Sequence, residues 1–178
     1  MAETTTLGRS GVAVPRLGLG VMTWGEATGI HRYMPAKRAY GGAETGGEQA
    51  AFAASLAAGV ELGITLIAYQ PLASGALTGK YLDGPRPVGL RRYQPMFRPK
   101  ALEAQRPVVQ LLRTIGERYD KTPGQVALRW LIQQDGVVPI PGAKNAAQAE
   151  HNAAALAFTL TPEEIAQLND ATVAWRVK

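Results

Sequence analysis

Three short, almost uninterrupted apolar runs punctuate this chain: Leu17 to Met22, Ile64 to Ala68 and Val137 to Gly142. Runs of four to eight apolar residues bounded by glycine and proline read as strands, and one as continuous as Ile64 to Ala68 reads as a strand covered on both faces. Helix-forming stretches separate them. Glu48 to Ala58 is alanine-rich and closes on Gly59. Val108 to Tyr119 sets Val108, Leu111, Leu112 and Ile115 at helical spacing. Thr122-Pro123 is an N-cap followed by proline at the first helical position, opening a helix to about Gln134. Ala146 to Leu156 is a further helix, and Thr161-Pro162-Glu163-Glu164 opens a last one with a capping-box pattern. Strand–helix alternation of this kind predicts an α/β layered fold with a parallel sheet. Ahead of it, Leu7 to Leu17 reads as two short strands around a glycine-containing turn. Gly25 to Gly47 and Leu77 to Pro107 lack periodicity and read as long connections.

Charge narrows the search for partners. The net charge is +5, and the Lys80–Arg106 segment alone carries it, with seven basic residues against Asp83 and Glu103. A local excess of cations favours an anionic ligand, although a solvated loop fits the pattern equally well. Five prolines from Pro85 to Pro107 interrupt the segment, and neither a recognition helix nor a stacking motif for nucleic acid is visible. The chain has no cysteine and only two histidines, His31 and His151, which excludes thiolate chemistry and makes a metal cluster a poor expectation. With no signal-peptide pattern and no apolar run of bilayer length, the expected compartment is the cytoplasm, with no membrane partner.

Two segments carry candidate ligand chemistry. Val138-Pro139-Ile140-Pro141-Gly142-Ala143-Lys144 is a strand, a glycine turn and the approach to a helix. The exposed amides and dipole of a helix N-terminus favour a phosphate, and Lys144 adds a positive charge. Gln148 and Asn152 are four apart and share one helical face, suited to hydrogen-bonding a flat polar ring. A plain strand–turn–helix with a surface lysine is the competing reading. The second segment is Tyr69-Gln70-Pro71-Leu72 with Gly75 and Leu77, where glycine lets the backbone approach a pyrophosphate.

These residues together resemble the aldo-keto reductase family. Leu17-Gly18-Leu19-Gly20-Val21-Met22-Thr23-Trp24-Gly25 resembles its opening strand, and Ile64 to Leu77 its seventh strand and following loop. The Val138–Lys144 segment with Gln148 and Asn152 resembles the part that holds the 2′-phosphate and adenine of NADP. The resemblance implies cofactor contacts at Gly142, Ala143, Lys144, Gln148 and Asn152. It also implies a pyrophosphate loop at Gln70, Leu72, Gly75 and Leu77, and a nicotinamide-side strand end at Gly20 and Met22; Arg91 and Arg92, in the basic segment that follows, are candidates to close over the phosphates. His151 stands where the family commonly has an acidic or amide residue.

The junction Ala57-Ala58-Gly59-Val60-Glu61-Leu62-Gly63-Ile64 then takes on meaning. In the family, the second to sixth βα units lie between the two halves joined here, and they carry the aspartate, tyrosine, lysine and histidine of carbonyl reduction. A DTAxxYG-like segment occurs nowhere in the sequence, so no residue is assigned a catalytic role. The resemblance implies a single incomplete domain over residues 1–178: a hairpin and first βα unit at 1–60, and cofactor-binding βα units at 61–178. The expected fold is a partial (β/α)8 TIM barrel with about three parallel strands plus the N-terminal β-hairpin. The 178 residues fall short of the roughly 250 of a complete barrel. Direct passage from the first strand to the seventh runs backwards around the barrel order seven, eight, one, against a handedness obeyed in about 98% of crossovers. An open sheet is the alternative, and its bare face needs a cover, for which a second chain is one candidate. The expected function is that of an NADP(H)-binding oxidoreductase relative without turnover of its own. The alternative is a non-enzymatic fragment, poorly folded or acting by association with a full-length homologue.

Overall fold

The computed structural model describes residues 4–18 and 65–176. Strands β1 (Thr4–Thr6) and β2 (Ala13–Pro15) form an antiparallel hairpin. Strands β3 (Leu66–Tyr69) and β4 (Val137–Ile140) pair in parallel, Leu66 opposite Val137 through Tyr69 opposite Ile140. A parallel pair needs a long crossover, and this one carries α1 (Pro99–Tyr119) and α2 (Pro123–Ile132). Helices α3 (Ala146–Ala153) and α4 (Pro162–Arg176) follow β4. The architecture is α/β, part of a TIM-type barrel. Among the described residues no helix is long and apolar enough to cross a membrane.

Helices α1, α2 and α4 bury one core around Val108, Leu112, Ile115, Val126, Leu160 and Leu168, to which Leu77 from the loop after β3 is added. Full burial of each such side chain contributes about 1.5–3 kcal/mol, so this helical layer is the stable base on which the loops after β3 and β4 rest. Thr122 opens α2 with a complete capping box, its hydroxyl accepting from the Gln125 N–H while the Gln125 side chain accepts from Thr122. Thr161 and Glu164 do the same for α4.

Pro139 shows how the sheet continues. The Gly136 carbonyl accepts from Leu66 N–H at 2.6 Å, so residues alternating with Gly136 face β3. Pro139 is out of that phase, and its missing N–H removes no bond from the β3–β4 ladder. Its carbonyl turns the other way and accepts from Gly18 N–H at 3.0 Å. A Cβ on Gly18 would lie 2.8 Å from Ile140 Cγ2, so any larger residue there would have to displace the Ile140 side chain. Leu17 and Gly18 thus begin on the far side of β4, in the order expected for the seventh, eighth and first barrel positions.

Three expectations need correction. The first hairpin strand lies ahead of Leu7, at Thr4–Thr6, because the turn spans 7–12 with Gly8 and Gly11 at positive φ. Helix α1 starts at Pro99, not Val108, and runs through Pro107. Proline at the first turn is well tolerated there, and Phe97 and Leu102 bury beside that turn and hold it. Strand β3 is not covered on both faces: Ile67 and Tyr69 are each 54% exposed.

Candidate functional site

Because β3 and β4 are parallel and in register, Gln70 and Pro141 leave the sheet side by side at the same end. The hairpin sits at the opposite end, where Thr65 Oγ1 accepts from Gly8 N–H at 2.8 Å. Both candidate ligand segments therefore share the C-terminal edge of the strands, the end at which barrel enzymes build their sites.

The loop after β3 is unusual in its backbone. Gln70, Ala73, Ser74 and Gly75 have φ of 52°, 48°, 55° and 94°. For residues with a Cβ this left-handed conformation costs about 1–2 kcal/mol each, and it persists where the surroundings over-determine it. Here the Leu72 carbonyl accepts from Gly75 N–H at 2.8 Å, and Ser74 Oγ donates to Gln70 Oε1 at 3.1 Å. Gln70 Nε2 in turn donates to the Tyr69 hydroxyl at 3.2 Å. Leu77 is buried in the helical core and Leu72 packs against it, so both anchor the loop by their side chains. Beside Gly75 lies Lys80, its Nζ 3.3 Å from where a Cβ would stand and 4.7 Å over the Tyr81 ring. In the sequence Lys80 stands out only as part of a charged run. Its five-residue spacing from Gly75 was the available signal.

The loop after β4 forms a compact turn on α3. Asn145 is the N-cap, its Oδ1 accepting from Gln148 N–H at 2.9 Å. Gln148 reaches back, its Oε1 accepting from Lys144 N–H at 2.8 Å. This leaves the Ala146 and Ala147 amides as first-turn donors without an intrahelical partner. The first turn of α3 has no acidic residue, and the Gly142 and Lys144 positions are exposed while Ala143 is buried. Asn152 is buried and donates from Nδ2 to the Gly142 carbonyl at 3.4 Å, so it holds the turn from beneath. Gln148 and Asn152 do lie on one face of α3, but one points up at the turn and the other supports it. The Asn145–Gln148 cap was legible in the spacing and was missed.

The basic segment divides in two. Arg106 binds Asp83 at 2.9 Å and Glu103 at 3.0 Å, and its hydrogen bond holds the Glu103 carboxyl below its ordinary range. That group is a latch between the Gly79–Gly84 turns and α1. Arg92 lies over the Tyr93 ring, with its centre 4.6 Å from the ring centroid, and donates to the Tyr93 hydroxyl. Arg86, Arg98 and Lys100 are exposed. Arg91 is described by its backbone only, in the 3-10 turn Gly89–Tyr93. Gly20 and Met22, the 25–47 connection and the 48–58 helix lie outside the described residues.

The arrangement belongs to a known class of protein. The family model described as the Aldo/keto reductase family matches residues 53–172, and the chain belongs to that family of oxidoreductases, which work with nicotinamide cofactors. It is similar to an uncharacterized oxidoreductase of Mycobacterium bovis, 44% identical over 111 residues, covering 62% of this chain and 34% of that one. It is also 44% identical over 108 residues to the chloroplastic pyridoxal reductase of Arabidopsis thaliana, covering 61% and 28%. Among solved structures, the glycerol dehydrogenase of Gluconobacter oxydans matches with a TM-score of 0.58 and 26% identity, over 67% of this chain and 37% of that chain. The match spans about a third of the length of these curated relatives.

Proposed function

We propose that this chain binds NADP(H) across the loops after β3 and β4, as a single incomplete domain that does not reduce carbonyls unaided. The observation that carries the reading is the in-register parallel pair that sets both loops at one strand end. The donor set suits a phosphorylated nucleotide. The N-terminus of α3 offers amides and no carboxylate in its first turn, Lys144 brings a positive charge, and Gln148 keeps an amide Nε2 for a ring or ribose. Gln70, Leu72, Gly75 and Leu77 form the loop read as the pyrophosphate cradle, and Lys80 adds a cation at Gly75. When bound, the cofactor supplies hydride; the residues described here bind and orient it. The proton donor and alkoxide stabiliser that reduction also requires have no counterpart in the family motifs retained by the sequence.

Thermal unfolding with NADPH and, separately, NADH tests the proposal. A ligand at about 100 times its Kd that binds only the folded form adds about 2.7 kcal/mol. A cooperative transition raised more by NADPH than by NADH is expected. Equal shifts, or none, would sink the reading.

A second reading is favoured by the half-exposed apolar side chains of β3, Ile67 and Tyr69, each 54% exposed: the chain acts by associating with a full-length homologue. Titrating it into such a reductase while following sedimentation and activity decides the matter, and no change in either rejects it.

A further inference from the structure

The carboxamide of Gln125 stands where two helix ends meet. Gln125 is in the first turn of α2 and only 7% exposed. Its Oε1 accepts from the Thr122 N–H at 2.9 Å and from the Thr122 hydroxyl at 3.1 Å. Its Nε2 donates to the His151 carbonyl at 2.9 Å. That carbonyl lies in the last turn of α3, which runs on into a 3-10 turn at Ala154–Leu156. One side chain therefore bonds the start of one helix to the last turn of another. A second bond crosses the same gap, with Thr122 Oγ1 3.1 Å from His151 Nε2.

The consequence falls on the turn above α3. Asn152, next to His151, holds the Gly142 carbonyl. At the other end of the helix, Asn145 caps Gln148 and Gln148 holds Lys144 N–H. Residues 142–148 are thus carried by α3, and α3 is tied to the helical core through Gln125.

We infer that Gln125 is a positioning residue for the 142–148 turn, and that the amide, not merely a capping group, is what the position requires. The inference rests on the NADP(H) reading for its ligand. A capping box accepts glutamate as readily as glutamine, but a carboxylate cannot donate to the His151 carbonyl. Gln125→Glu therefore keeps the cap and removes the tie.

The experiment uses the intact chain and compares wild type, Gln125→Glu and Asn169→Ala. The last removes the Trp130 Nε1 bond of 3.0 Å elsewhere in the helical layer and serves as a control for general loss of stability. Amide exchange at Lys144 and Gln148 is followed without ligand, and NADPH and NADH are titrated separately. Gln125→Glu is expected to speed exchange at those two amides about tenfold relative to core amides such as that of Leu112. It should weaken NADPH about tenfold, the scale of one buried hydrogen bond. Asn169→Ala should do neither. Unchanged exchange and affinity in Gln125→Glu overturn the inference, as does equal loosening in Asn169→Ala. If wild type shows no preference for NADPH, the cofactor reading fails, while exchange at Lys144 still decides the positioning role. Should Gln125→Glu not fold, His151→Ala, which removes the ring nitrogen bonded to Thr122 Oγ1 and leaves the α2 cap in place, is read the same way with a smaller expected effect.

Discussion

Single atoms set the limits at two positions. A Cβ on Gly116 would lie 2.2 Å from the Lys121 carbonyl oxygen, a backbone atom that has no rotamer by which to yield. Gly116 sits in α1 just where Asp120, at φ 54°, reverses the chain and Lys121 N–H bonds back to the Gly116 carbonyl at 2.9 Å. Gly116→Ala should cost about 3 kcal/mol, the upper end of overpacking effects, read as a lowered urea midpoint with unchanged slope. Lys144 is the opposite case, an exposed side chain whose loss leaves the fold intact. Lys144→Met should weaken NADPH about tenfold, the lower end for a charge-assisted hydrogen bond, while NADH binding and the melting temperature stay as they were. Equal weakening of both nucleotides would mean that the lysine does not face the 2′-phosphate.

Between elements, the decisive contact is the clasp of α1 to α4. Glu164 is only 3% exposed and accepts from the Tyr119 hydroxyl at 2.7 Å, from Arg118 at 3.1 Å and from Thr161 N–H at 2.9 Å. The bond to Glu164 holds the Tyr119 phenol above its ordinary value. A raised folded-state pKa means that the proton is bound more tightly in the native protein. The stabilisation is therefore complete below about pH 10 and is lost as pH climbs through the folded value. Tyr119→Phe should lower stability by about 1.5 kcal/mol at neutral pH and flatten the decline that begins above about pH 10, which denaturant midpoints measured from neutral pH upward would reveal. Helix α1 carries a second, opposite prediction. Pro107 leaves the Glu103 carbonyl without its helical N–H, and the side chain is exposed. Pro107→Ala should raise stability by about 1 kcal/mol, a discounted share of the helix-interior proline cost; a fall would show that the proline's fixed φ matters more than the missing bond. The same helix marks where sequence reading stopped. Val108, Leu112 and Ile115 announced its second half through their spacing. Its first half was hidden because Pro99 and Pro107 look like breakers, and only burial of Phe97 and Leu102 overrides them. Capping residues were more legible, since Thr122 and Thr161 act within four residues of themselves. The tie from Gln125 to His151 spans 26 residues, and no local pattern reports it.

For the molecule as a whole, the order β3, β4 and then Gly18 was legible from the strand runs and the family resemblance, whereas the partial exposure of Ile67 and Tyr69 on β3 was not. A run such as Ile64 to Ala68 says that a strand prefers cover, not that cover is present. The size of the exposed face sets how strongly two copies can associate. Ile67 and Tyr69 each retain about half their surface, so burying them against another copy would contribute about 1–2 kcal/mol per side chain. Four side chains in a pair of copies then supply about 4–8 kcal/mol, against an association cost of about 4–15 kcal/mol. A net charge of +5 on each chain opposes the encounter further. Self-association should therefore be weak, detectable only at high protein concentration, and strengthened by salt as the repulsion is screened. Ile67→Lys should abolish it while leaving the melting temperature unchanged, because the lysine would project from an already exposed site. Sedimentation velocity over a range of concentrations and salt reads each of these effects. A tight dimer in wild type that persists in Ile67→Lys would locate the contact elsewhere than on β3.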